Sequence, residues 1–170
     1  MFSFTSLHSQ EIEIYASDSA AIGKISEFSK GTLGYGLAFF YNLEFIPYLG
    51  LSARFEHTVN LLNSNEICAS WSNICYTAGV TALFNITDFM NIIPEFDLGG
   101  NLNILSPTTI NKNLYNDLLL QLSCSFEFFS KTKTDSNISF MISPFYRFLP
   151  EKNNAAQFAG FNIGIKTGLN

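Results

Sequence analysis

The chain has 170 residues, of which 47% are hydrophobic, 15% aromatic and only 14% charged, and its net charge is −5. The negative charge excludes a protein that binds nucleic acid through a basic patch. No stretch approaches the roughly 18 to 20 unbroken apolar residues of a membrane-spanning helix, so the hydrophobic side chains must be accommodated in another way.

The first nine residues are interpreted separately from the rest. Residues 1–9 (MFSFTSLHS) are apolar and end in Leu7-His8-Ser9, a loose form of the small-residue pattern before a signal-peptidase cleavage site. They are predicted to be the remnant of a secretory signal peptide, although no positively charged segment precedes them; an ordinary frayed N-terminus is the alternative. Residues 10–170 are predicted to form a single domain, because the chain is too short for two.

From residue 10 onward, apolar and polar residues alternate with a period of two, which is typical of β-strands and not of helices. The run TLGYGLAFFYNL, for example, places Leu33, Tyr35 and Leu37 on one face and Gly34 and Gly36 on the other. Eight runs of this kind are predicted as strands, in chain order 10–16, 32–43, 48–59, 71–85, 95–105, 117–129, 136–149 and 157–169.

An even number of strands favours a closed antiparallel meander with both ends on one side of a membrane. Shorter connections are expected at 44–47, 86–94 and 130–135, and longer ones at 17–31, 60–70, 106–114 and 150–156. Tight turns on one side and longer loops on the other are the arrangement of outer-membrane barrels.

The volumes of the two faces indicate which face points outward. An eight-stranded barrel has an interior just wide enough to be filled by side chains, and the polar faces of these runs are dominated by Gly, Ser, Asn, Thr and Ala. The opposite faces carry Leu, Phe, Tyr and Ile, which only lipid tolerates over such an area. The sequence therefore predicts an all-β fold, a closed, up-and-down transmembrane β-barrel of eight strands. A soluble lipocalin-like binder is the alternative, and it would fold in plain buffer without detergent.

Aromatic residues concentrate near the short-turn ends of the predicted strands. Side chains of this type form girdles at the interfaces between membrane and water. The predicted girdle consists of Tyr41, Phe45, Tyr48, Phe84, Phe96, Phe128 and Phe129.

With these features the chain resembles the small eight-stranded outer-membrane proteins of Gram-negative-type bacteria, the OmpA, OmpX and opacity-like group, over about residues 10–170. Its last strand is similar to their assembly signal at Asn162, Gly164 and Leu169, but Thr167 occupies a hydrophobic position and the chain ends in Asn170 rather than an aromatic residue. The resemblance implies a bacterial outer-membrane location, a lipid bilayer as surroundings, and recognition of the C-terminal strand by the outer-membrane assembly machinery. The frequent use of Asn, Ile and Phe indicates a low-GC genome, such as that of a spirochaete.

Charged residues on the inward faces are the one unusual constellation. They are Glu11, Glu13, Arg54, Glu56, Glu95, Asp97, Asp117, Glu127, Arg147 and Lys166. Because isolated charges are costly to bury, these residues are expected to pair and to plug the lumen. A narrow, slightly cation-preferring pore is the alternative.

Closure of the barrel makes the last strand a neighbour of the first. Lys166 is therefore expected beside Glu11 or Glu13, with Glu127 and Asp97 at a similar depth. Arg147 and Asp117, on adjacent strands, are expected to meet near the opposite mouth.

No catalytic residue, metal ligand or cofactor is predicted. The chain has no GxSxG-type elbow and no Gly-rich phosphate loop, and His57, the only histidine outside residues 1–9, lies on the lipid-facing register. The odd number of cysteines, Cys68, Cys75 and Cys124, and their spacing favour a packing role.

The leading hypothesis is a structural or surface-interaction (adhesin-like) barrel whose loops 17–31 and 60–70 meet an extracellular or host ligand. A narrow pore or conduit for small solutes or hydrophobic molecules is the alternative.

Overall fold

The computed structural model describes residues 10–43, 45–46, 48–63, 70–106, 113–129, 138–150 and 155–169. They form one antiparallel sheet with the strand order β4-β3-β2-β1-β9-β8-β7-β6-β5, and β4 also pairs with β6. The strands are β1 Gln10–Ile22, β2 Ser29–Asn42, β3 Leu49–Leu62, β4 Ser70–Ala82, β5 Phe84–Thr87, β6 Met90–Ser106, β7 Asn113–Phe129, β8 Ile138–Leu149 and β9 Ala156–Gly168.

The β4–β6 ladder closes the sheet into a barrel. Strand β5 follows β4 after the single residue Leu83 and pairs with the same neighbour, β6, so that β4 and β5 together occupy one position and the barrel has eight. The first and last long strands meet in the β1–β9 ladder, which runs from Glu11 opposite Gly168 to Ile22 opposite Gln157. The predicted closed eight-stranded barrel is confirmed.

Exposed and buried side chains alternate along the strands, and the exposed ones are apolar while most of the buried ones are polar, the reverse of a water-soluble barrel. The outward side chains of Tyr35, Phe55 and Ile165 are 67%, 52% and 58% exposed, whereas inward Asp97 and Asn162 are fully buried. An apolar outer surface around a polar interior requires lipid outside, and the barrel is therefore of the transmembrane type. No helix within the described ranges is long and apolar enough to span a membrane.

Strand β1 is longer than the sequence indicated, and the prediction of a loop over residues 17–31 is wrong. Residues 17–22 remain in the sheet, paired with β9, and only a short 3-10 helix, Gly23–Glu27, separates β1 from β2. The outward positions here hold Asp18 and Ala20 rather than large apolar residues, so the alternation is weak. Pairing with β9 along the whole segment, and with β2 as far as Ala20, keeps it extended.

Strand β6 begins at Met90, so the turn predicted over residues 86–94 is also wrong. Only Asp88 and Phe89 separate β5 from β6. Pro94 is accommodated inside β6 because it lies between the end of the β5 ladder at Ile92 and the start of the β4 ladder at Glu95, a place where a missing N–H is tolerated.

The two ends of the barrel are named here by their connections. The turn end carries the β2–β3 and β5–β6 connections and the ends of β1 and β9 at Gln10 and Gly168; the loop end carries the β1–β2 connection and the residues between β3 and β4, β6 and β7, and β8 and β9. The first pair of connections does not show the expected contrast in length. The β1–β2 and β2–β3 connections both span six residues, because the extra residues assigned to the first loop belong to β1 and β2. The β5–β6 turn, with two residues, is shorter.

Candidate functional site: the lumen and its loop-end mouth

An ion cluster around Lys166 occupies the turn end of the lumen. Lys166 Nζ lies 2.9 Å from Glu11 Oε2 across the β1–β9 seam and 2.6 Å from Glu127 Oε1 on β7. Glu127 also accepts hydrogen bonds from Asn91 Nδ2 at 2.9 Å and Ser139 Oγ at 2.7 Å. The charges in this cluster are therefore held by several elements at once.

A second cluster surrounds Arg54 on β3, farther from the turn end. Its guanidinium donates to both carboxylate oxygens of Glu95, from Nε at 3.1 Å and from Nη2. Glu13 Oε2 lies 3.4 Å from Nη1, and Asp97 Oδ2 lies 3.8 Å from Nε. One guanidinium therefore faces three carboxylates, and only Glu95 has bidentate geometry, the strongest of these arrangements.

The third cluster crosses the lumen. Arg147 on β8 donates from Nη1 and Nη2 to Glu56 on β3, at 2.8 and 2.6 Å, and from Nε to Gln121 at 2.6 Å. Tyr15 Oη donates to the same Glu56 carboxylate at 3.1 Å. Four strand positions separate β3 from β8 in a barrel of eight, so the Arg147–Glu56 pair joins opposite walls.

Two of the predicted placements of lumen charges are wrong. Arg147 lies opposite Gln121 in the β7–β8 ladder, four residues along β7 from Asp117, which instead accepts a hydrogen bond from Asn103. Asp97 is also paired with Gln121, far along β7 from Glu127, so it belongs to the Arg54 cluster rather than to the depth of Lys166. Both errors arise because depth in a barrel depends on the stagger between strands, which residue spacing within one strand does not reveal.

Above the Arg147–Glu56 pair, toward the loop end, apolar side chains fill the lumen. Leu119, Leu149 and Phe158 are 1%, 4% and 6% exposed and pack with Cys75 and Ala156. A cavity of only about 20 Å³ is lined by this layer, by Arg147 on one side of it and by Trp71 and Asn103 on the other, and it has room for about one water molecule. The sequence did not reveal this layer, because Leu119 lies between Leu118 and Leu120, and three consecutive leucines show no alternation between apolar and polar residues.

Polar and aromatic residues on the inward register line the loop-end mouth. Trp71 Nε1 donates to Asn103 Oδ1 at 3.0 Å, and Asn101 Nδ2 donates to the same oxygen at 3.0 Å. Asn103 Nδ2 in turn donates to Asp117 Oδ2. Tyr115, opposite Asn103 in the β6–β7 ladder, is 52% exposed. We call Trp71, Asn101, Asn103, Tyr115 and Asp117 the mouth cluster.

Most of the predicted girdle residues lie at the turn end. Tyr41, Phe45, Tyr48 and Phe84 are exposed there, whereas Phe128 and Phe129 are half-buried. The backbone N–H of Phe129 donates to the carbonyl of Phe89 at 2.9 Å, which places this pair beside the β5–β6 turn. The prediction for Phe96 is wrong. This residue lies six residues into β6, away from the turn end, because β6 starts at Met90 rather than at Glu95.

Outside the lumen ion clusters, few of the described residues have side chains that could react or bind a metal. His57 lies on the outer face with its ring 5.5 Å from that of Tyr35. Cys75 is buried and donates to Asn101 Oδ1 at 3.0 Å, and Cys124 is half-buried; Cys68 lies outside the described residues. Across the described ranges, no group of three or more His, Cys, Asp or Glu residues is arranged to hold a metal ion.

Comparison with known proteins finds similarity of fold and not of sequence. No family model matches the chain, and no curated protein matches it in sequence. The crystal structure of Neisserial surface protein A superimposes with a TM-score of 0.74 at 8% identity, covering 95% of this chain and 97% of that one.

Two further structures of the same architecture differ in what their proteins do. Ail, the attachment invasion locus protein of Yersinia pestis, in complex with the heparin analogue sucrose octasulfate, gives a TM-score of 0.60 at 16% identity over 93% of this chain and 96% of that one. The outer-membrane enzyme PagL gives 0.57 at 9% identity over 92% and 99%. The chain thus has the fold of the small outer-membrane β-barrels, a fold that carries both attachment and enzymatic functions.

The Arg147–Glu56 pair provides a test of the lumen geometry. Substituting Arg147→Met leaves the Glu56 carboxylate buried without its partner, and we expect the free energy of unfolding in detergent micelles to fall by about 3–5 kcal/mol. The double variant Arg147→Met/Glu56→Gln removes both charges and should recover much of that loss. Denaturant titrations of the two variants and of the unsubstituted protein measure this; equal losses in the single and double variants would contradict the pairing.

Proposed function

We propose that this protein is a non-conducting barrel of the bacterial outer membrane that presents an interaction surface at its loop end. The observation that carries the proposal is the obstruction of the lumen by two successive layers. The Arg147–Glu56 pair joins opposite walls, and the apolar layer around Leu119 lies directly beyond it.

A pore role is the weaker alternative. The excess of carboxylates around Arg54 would favour cations, but an ion crossing the barrel must break a bidentate ion pair and then pass an apolar layer. Both steps are unfavourable, because separating buried charges and placing an ion among apolar side chains are costly. The obstruction therefore supports a structural or surface role over transport.

The mouth cluster supports the surface-interaction part of the proposal. Strands β6 and β7 each contain 17 residues, whereas about 9–11 residues are enough for a strand to cross a bilayer. Part of each strand therefore projects beyond the membrane. At the loop end this part includes Asn103, which accepts the hydrogen bond of Trp71, and the exposed Tyr115. Aromatic residues are enriched in binding interfaces.

The proposed partner differs in charge from the ligand seen with Ail, because this chain has a pI of about 4.9. An acidic barrel repels sulfated polysaccharides, so an uncharged or basic surface is the better match.

The proposal includes no catalysis, since His57, the one histidine among the described residues, lies on the outer face away from the lumen clusters. The assembly machinery is proposed to recognise β9, the last strand.

Planar-bilayer recordings on refolded protein test the non-conducting part. We expect no unit steps of current in KCl, because both layers remain in place. The triple variant Glu56→Ala/Arg147→Ala/Leu119→Ala, which removes parts of both layers, should give measurable steps and serves as the control for insertion. Steady unit conductance of the unsubstituted barrel would contradict the proposal.

Binding by whole cells that display the barrel tests the interaction part. The probes are a panel of immobilised neutral glycans and extracellular-matrix proteins. We expect at least one ligand to be retained by the unsubstituted protein and lost with Trp71→Ala/Tyr115→Ala, since these aromatics supply contact area at the mouth. Tyr41→Ala/Tyr48→Ala, which removes two aromatics at the turn end, is the matched control. Binding that is lost equally in both variants, or absent from the whole panel, would count against the proposal.

A further inference from the structure

The lumen contains more negative than positive charge among the described residues. Three cationic side chains, Arg54, Arg147 and Lys166, face six carboxylates, which are Glu11, Glu13, Glu56, Glu95, Asp97 and Glu127. Uncompensated charge is expensive inside a barrel surrounded by lipid. Some further positive species is therefore expected to neutralise part of the excess.

Glu13 stands out among these carboxylates because only one of its two oxygens is paired. It is fully buried, and its one ion pair is the 3.4 Å contact of Oε2 with Arg54 Nη1. Its other oxygen, Oε1, has no hydrogen-bond partner. A Cβ built on Gly164 would lie 2.6 Å from this oxygen, so the carboxylate leans over Gly164 on the neighbouring strand β9.

Beyond Gly164, the next inward residue on β9 is Asn162, an uncharged residue that is not part of the acidic cluster. Asn162 is fully buried, and neither its Nδ2 nor its Oδ1 has a hydrogen-bond partner. Ser17 lies directly opposite it on β1 and is 4% exposed, and its hydroxyl also lacks a partner. Such groups are rare in native structures unless water or an ion satisfies them.

The ring of Tyr15, the inward residue between Glu13 and Ser17 on β1, does not fill the space between Glu13 Oε1 and Asn162 on β9. Tyr15 leans the other way, toward β2, where a Cβ on Gly36 would lie 2.5 Å from its hydroxyl and ring. Its hydroxyl is fixed there by donation to Glu56 Oε2 at 3.1 Å. Gly36 thus gives the ring room to turn toward β2, and at Gly164 on β9 the nearest side-chain atoms are Glu13 Oε1 and the Cβ of Tyr15.

We propose that this space binds one alkali-metal cation, with Glu13 Oε1, Asn162 Oδ1 and Ser17 Oγ as protein ligands and water in the rest of the shell. Carboxylate, amide and hydroxyl oxygens are hard ligands suited to such ions. A single free carboxylate oxygen favours a monovalent over a divalent ion, which would need more carboxylates. Water alone satisfies Asn162 but adds no positive charge against the excess of lumen carboxylates.

Thermal unfolding of the full chain, refolded in an uncharged detergent, tests the site. The unfolding temperature is compared in NaCl and in N-methyl-D-glucamine chloride at the same ionic strength. Because the ion binds only the folded barrel, Na⁺ well above its dissociation constant should raise the midpoint by roughly 3–6 °C. Equal midpoints in the two salts, as expected if water or a proton occupies the space, overturn the proposal.

Three variants separate the site from a general effect of charge. Glu13→Gln and Asn162→Leu should abolish the difference between the salts, and Asn162→Leu also removes two unpaired polar atoms, so it is expected to fold if Glu13→Gln does not. Glu11→Gln removes one lumen carboxylate beside Lys166 and should keep the full difference. Persistence of the Na⁺ effect in Asn162→Leu, or its loss in Glu11→Gln, contradicts the assignment.

Discussion

The structure depends on one constraint: the hydrocarbon core of a bilayer offers no water to backbone N–H and C=O groups. Each unpaired group there costs several kcal/mol, so every strand must be paired along both edges. The β1–β9 and β4–β6 ladders meet this requirement by joining the sheet to itself. With only eight positions around the ring, closure also produces a lumen so narrow that side chains must fill it.

Filling the lumen determines the character of the interior. The inward residues of each strand face other walls at close range, so charges can be buried only where another strand supplies a partner. Lys166 finds one partner on the adjacent strand β1 and one on β7, two strand positions away. Arg54 pairs with a carboxylate two strand positions away, and Arg147 with one on the opposite wall. The resulting cross-links, together with the apolar layer around Leu119, fill the lumen at several levels.

Alternation in the sequence was sufficient to predict the barrel, its eight positions and its outward apolar face, because one period-two pattern encodes all three. It failed where another physical factor decides. Residues 17–20 have no large apolar side chain on the outward face, yet pairing on both edges keeps them in β1. The connection expected over residues 86–94 ends at Pro94, but a gap between two ladders accommodates this residue within β6.

The lumen contacts were less accessible to sequence reasoning than the fold. The Arg147–Glu56 pair joins residues 91 apart in the chain on strands that never touch, so neither spacing nor strand adjacency indicates it. The unpaired oxygens of Glu13 and Asn162 depend in the same way on side-chain direction, which glycines on neighbouring strands control.

The central claim, that this chain is a closed barrel built for a bilayer, is tested most directly by refolding it into detergent. A closed transmembrane barrel should give a β-rich species that migrates differently on a gel before and after heating, since such a barrel resists unfolding until it is boiled. In detergent-free buffer the chain should have no stable folded form. A folded, detergent-free monomer would contradict the outward orientation of the apolar face and with it the whole account.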